Sequence, residues 1–195
     1  MQDRIFGDRE KAMEADYFRK EEARLLEKLR QNAKIDEVAE ALRDKLQVDD
    51  PDLLAAVREL GINADGAAAF LLAPLVQVAW AEGKVRKDEQ EAVLKIARQR
   101  GVEEGSAADR QLRDWMADRP SDALFEASIK VIKAGYAVLP ARERHERVER
   151  FIDACRTIAE ASGSEIAHQL GLGTGVSKGE ASLIEAIGNE LRSRD

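Results

Sequence analysis

From Ile35 onward, apolar residues recur with the period of a helix face. Ile35, Val38, Ala39, Leu42 and Leu46 fall on one side of such a wheel. Asp49-Asp50-Pro51 then ends that run and begins another. Asp50 can accept hydrogen bonds from free amides at a helix start, and Pro51 suits the first helical position, where no N–H is needed. The same periodicity predicts helices over residues 51–60, 65–82, 87–100, 106–118, 121–138, 141–161 and 178–192. Gly61, Gly83, Gly101 and Gly163 follow periodic runs, where a left-handed residue would terminate the helix. Ser177-Lys178-Gly179-Glu180 has the spacing of a capping box and sets the start of the last helix. No segment sustains the alternation of a half-buried strand, so the fold class is all-α. The most apolar run, Ala67 to Ala81, is shorter than the ~20 residues of a spanning helix and contains Pro74 and Gln77. It predicts a buried core helix and no membrane insertion.

The stretch before this is different. Residues 8–30 hold seven acidic and seven basic side chains among 23 positions, with no Gly or Pro. The residues are strong helix formers, yet the apolar ones make no continuous stripe. Phe18, Leu25 and Leu29 share one face, whereas Met13 and Tyr17 lie on another. Such a helix cannot bury much of itself in its own domain. It predicts a charged arm over residues 1–47, followed by a helical domain over 48–195. The arm is either solvated or docked in the groove of another protein.

Charge narrows the classes of partner. The chain has 195 residues, 31 Lys and Arg against 38 Asp and Glu, and a net charge of −7. That balance opposes a general nucleic-acid binder, which concentrates basic charge. One cysteine and two histidines exclude an internal disulfide and a Cys/His zinc finger. Met1-Gln2-Asp3-Arg4 begins no apolar signal core, so the expected location is cytoplasmic.

Candidate chemistry is sparse. Gly171-Leu172-Gly173-Thr174-Gly175-Val176-Ser177-Lys178 lacks the Gly-Lys-Ser/Thr order of a phosphate loop, and no strand precedes it. His145 lies in a charged helical face, and Cys155 lies among Phe151, Ile152 and Ile158 as a small buried hydrophobe. No nucleophile–base pair can be named, so no enzyme activity is expected. A weak internal repeat pairs Val78-Ala79-Trp80-Ala81-Glu82-Gly83 with Ile158-Ala159-Glu160-Ala161-Ser162-Gly163. It also pairs Val85-Arg86-Lys87-Asp88-Glu89 with Val176-Ser177-Lys178-Gly179-Glu180, the second copy gaining a loop over 164–175.

Two stretches resemble known families. Phe6-Gly7-Asp8-Arg9-Glu10-Lys11-Ala12-Met13-Glu14-Ala15-Asp16-Tyr17-Phe18-Arg19, continuing to Leu26 and Leu29, resembles without a gap the inhibitory helix of the mitochondrial ATPase inhibitor family. The matched region spans residues 6–30. In that family the helix inserts between catalytic subunits of the rotary ATP synthase head and blocks ATP hydrolysis. The resemblance implies a partner-binding set of Phe6, Arg9, Glu14, Tyr17, Phe18, Arg19, Leu26 and Leu29. The histidine-rich coiled coil of the family does not follow, so its pH-controlled assembly is not implied.

Residues from about 50 onward resemble the TerB family, named for tellurite resistance. The resemblance rests on Leu75-Val76-Gln77-Val78-Ala79-Trp80-Ala81-Glu82-Gly83-Lys84-Val85 with Glu89, and on the second copy. It implies a compact all-helical bundle with no enzymatic activity, associated with stress or metal-ion responses and with protein complexes near the membrane. Two functions follow as expectations. The first is a non-enzymatic regulatory protein whose N-terminal helix docks on another protein, with a rotary ATPase as the named candidate. The alternative is a TerB-like stress-response module with a structural N-terminal helix. In that case Glu82, Glu89 and Glu180, with Glu165, would offer hard oxygen ligands to Ca²⁺ or Mg²⁺; otherwise no cofactor is expected.

Overall fold

The computed structural model describes residues 19–20, 23–28, 37, 40–42, 50–170 and 175–193; the side chains of 162–170 are outside that description. By its contacts the chain forms two units, Met1–Glu37 and Val38–Asp195. In the first unit the described residues are all helical and exposed. The second is an all-α bundle with no strand among the described residues. Its helices are α1 (Pro51–Glu59), α2 (Ala67–Phe70), α3 (Ala73–Ala79), α4 (Lys87–Gln99), α5 (Ala107–Ala117), α6 (Asp122–Ala137), α7 (Ala141–Leu170) and α8 (Lys178–Arg192). Residues 40–42 are helical as well, and Leu42 is fully buried in the core of this unit.

Local chemistry sets most helix ends. The Asp50 carboxylate accepts from the amides of Asp52 and Leu53 at 3.0 and 3.2 Å, and Pro51 follows it. Ser106, Ser121 and Ser177 cap α5, α6 and α8 in the same way. At the end of α4, Gly101 adopts φ +86°, a conformation that favours glycine. The Val102 amide then donates to the Ala97 carbonyl and Gly101 to Arg98, both at 3.0 Å. This is the Schellman arrangement, with Val102 folded back against the core.

Two expectations need correction. The helix predicted over 65–82 is divided at Leu71 and Leu72 into α2 and α3. Pro74 is the cause: it has no N–H to offer the Phe70 carbonyl four residues earlier, and it disfavours a continuous helix through Ala73. The orphaned carbonyl is satisfied from elsewhere, because buried Ser128 on α6 donates its hydroxyl to Phe70 O at 2.6 Å. Replacing Ser128 by alanine should leave that carbonyl buried without a partner. The expected loss is about 1–3 kcal/mol of unfolding free energy, measurable by urea denaturation.

The second correction concerns Gly163. It lies inside α7, which continues to Leu170, so the loop expected over 164–175 is helical through 170. One glycine in a helix costs only about 1 kcal/mol relative to alanine. The residues that follow, Ser164-Glu165-Ile166-Ala167-His168-Gln169-Leu170, contain no proline to enforce a stop.

α3 is the hub of the bundle. All its residues except Gln77 are buried, and it packs against α4, α5, α6, α7 and α8. A helix apolar on nearly every side has to sit inside. Around it Phe70, Phe125, Phe151, Ile132, Ile152 and Ile158 are fully enclosed. The long α7 runs along α3, α4, α6 and α8. Arg192 ties α8 to α7 through Glu149, at 2.7 Å from Nη2.

Candidate functional site

The arm carries all eight residues implied by the inhibitor resemblance. Phe6, Arg9, Glu14, Tyr17, Phe18 and Leu29 lie outside the described residues. Arg19 is helical and exposed. Leu25 and Leu26 are helical and 51% and 48% exposed, which places two adjacent large apolar side chains in solvent. Around them Arg24, Glu27 and Lys28 are also exposed. The surface is therefore amphipathic at short range: apolar side chains bracketed by both signs of charge. An apolar side chain held in water gains roughly 1.5–3 kcal/mol once a partner covers it. That gain is the chemical content of an exposed leucine pair on a helix.

The carboxylates proposed as metal ligands have other work. Glu82 pairs with Arg86 at 2.7 Å. Glu89 and Glu180 are each 1% exposed and occupy the third position of α4 and α8. Each reaches back to the amide before its helix: Arg86 N donates to Glu89 Oε2 at 2.6 Å, and Ser177 N to Glu180 Oε2 at 2.7 Å. The two halves of the internal repeat thus share a buried helix cap. Among the described residues no three His, Cys, Asp or Glu side chains converge as a metal site. The side chain of Glu165 is outside the described set.

A third buried carboxylate was not singled out by the sequence. Asp109 accepts from Gly105 N at 3.1 Å and from Arg113 Nε at 2.9 Å. Arg113 is the main reason its carboxyl titrates below the ordinary 3.8; burial opposes the shift and the Gly105 amide reinforces it. A lowered value in the folded state means the stabilisation is present at neutral pH and fades as pH falls through that value. The sequence signal was there in Ser106-Ala107-Ala108-Asp109, a Ser cap with an acid at the third helical position, whose carboxylate reaches the amide of Gly105 before the cap.

Of the remaining candidates for chemistry, Cys155 and His145 have described side chains. Cys155 is fully buried, and burial pushes its thiol up to about 12, so it stays protonated and packs as a hydrophobe. His145 is exposed on α7, and the side chain of His168 is outside the described residues. Among the described residues no helix is long and apolar enough to cross a membrane. No family model, curated protein or solved structure matches the chain.

Proposed function

We propose that the chain is a non-enzymatic regulatory protein whose N-terminal helix docks in the groove of a protein partner, with the head of a rotary ATPase as the candidate. The observation that carries this reading is the pair Leu25 and Leu26, half exposed on a helix whose own sequence offers no continuous apolar stripe. The ungapped resemblance from Phe6 to Arg19 supports the choice of partner. Its aromatic pair, Tyr17-Phe18, flanked by Glu14 and Arg19, has the composition of a buried anchor in a helix-in-groove interface. The helical domain behind it, TerB-like in sequence, is read as the folded body that carries the arm in the cytoplasm.

Mechanistically, such a helix inhibits by occupying a cleft that must close or open during turnover. The test is a titration of a detergent-free ATPase head preparation with the purified protein. ATP hydrolysis should fall to a low plateau. Undiminished hydrolysis in excess protein would overturn the reading.

A further inference from the structure

The bundle contains a cavity of about 370 Å³, within the range of small-molecule sites. Its apolar wall comes from the α2–α3 turn, through Leu71 and Leu72, and from Ile132 on α6. Its polar side is open to solvent and comes from three exposed arginines, Arg100 at the end of α4 and Arg147 and Arg150 on α7. No acidic side chain lines it, although acids outnumber bases over the whole chain by 38 to 31. Arg147 and Arg150 lean on Glu143 and Glu146 at 3.3 and 3.7 Å, outside the lining. Arg100 has no acidic partner among the described residues; its guanidinium lies 5.2 Å from the centre of the Phe151 ring, another lining residue. A guanidinium fixed over an aromatic face keeps its N–H edge available to an anion.

Tyr136 adds a neutral donor to the same lining. It is 7% exposed and lines the cavity, and its hydroxyl has no hydrogen-bond partner among the described residues. The hydroxyl oxygen itself is open to the space that this lining encloses and can donate into it. Burial raises its titration above the ordinary range, against the pull of Arg100 and Arg147, so at neutral pH it remains a donor. A hydroxyl donor, an unpaired guanidinium and two further cations face one volume whose other wall is apolar.

We propose that this cavity binds a small amphipathic carboxylate of the medium-chain fatty-acid type. Its head would lie toward Arg100, Arg147 and the Tyr136 hydroxyl. Its hydrocarbon body would lie against Leu71, Leu72 and Ile132. The charge-assisted, fork-shaped contact that arginine makes with carboxylate fixes the head, and the apolar wall selects against a bare anion. Every residue assigned to this site lies in the second unit.

Calorimetric titration of the full chain with sodium octanoate, below its micellar concentration, tests the assignment. One site is expected, with sodium acetate and 1-octanol each binding far more weakly, because each carries only half of the recognised chemistry. Arg100→Gln should weaken octanoate by about tenfold or more. Tyr136→Phe, which keeps the ring packed, should weaken it severalfold at an unchanged melting temperature. Absence of octanoate binding to the folded chain would overturn the proposal, as would unchanged affinity in both variants. Inorganic phosphate binding as tightly as octanoate would overturn it in favour of a plain anion site. An acidic peptide that binds and is not displaced by octanoate would overturn it in favour of a peptide groove.

Discussion

Replacing Tyr17 and Phe18 together by alanine is expected to raise the concentration of protein needed to half-inhibit ATP hydrolysis by at least about a hundredfold. An aromatic anchor in the centre of a desolvated groove is commonly worth about 2 kcal/mol or more, and truncating two neighbours removes most of the contact area at once. Leu25 and Leu26, already helical and half exposed, would remain to give a weak residual contact. The measurement is hydrolysis by the ATPase head against added protein, wild type beside variant. On the docking reading both chains should melt at the same temperature; among the described residues the buried core runs from Leu42 onward. Equal inhibition by wild type and variant would show that the aromatic pair is not the anchor.

The largest expected effect on stability lies at the hub. Leu75→Ala should cost about 2–5 kcal/mol, the range for a fully buried leucine whose cavity cannot collapse. Leu75 has no exposed surface and sits on α3, which five other helices surround. Pro74 beside it stiffens the backbone and limits relaxation into the void. For a domain of this size the melting temperature should drop by roughly 5–20 °C. Urea unfolding of the same variant gives the free energy. A loss below about 1 kcal/mol would mean that the hub repacks and that α3 is not the rigid centre inferred from its contacts.

What could be read in the sequence follows from the range of the interactions. Helix starts were legible at Asp50-Pro51 and at Ser177 with Glu180, because a cap is made by residues three positions apart. Helix ends at Gly61, Gly83 and Gly101 were legible because a positive φ leaves its mark in residue type. The break at Leu71-Leu72 was signalled by Pro74 but hidden by the unbroken apolar run around it. Gly163 gave the opposite error: a residue suited to a terminus sits in a continuing helix because its neighbours allow it. Glu89 and Glu180 show the limit for function. A glutamate in the first turn of a helix has the same sequence signature as a ligand and as a cap, and only hydrogen-bond partners separate the two. The arginine-lined cavity was out of reach. Its walls come from segments near residues 70, 100, 135 and 150, and no local pattern announces that these meet.

The proposed docking requires spare apolar surface in the arm. Comparing the unfolding free energy of the full chain with that of a chain lacking residues 1–31 tests this most directly. The expected difference is less than about 1 kcal/mol, since exposed leucines contribute little to their own fold. A loss above about 2 kcal/mol would mean that Phe18, Leu25 and Leu29 are worth what buried side chains are worth, and would contradict the docking arm.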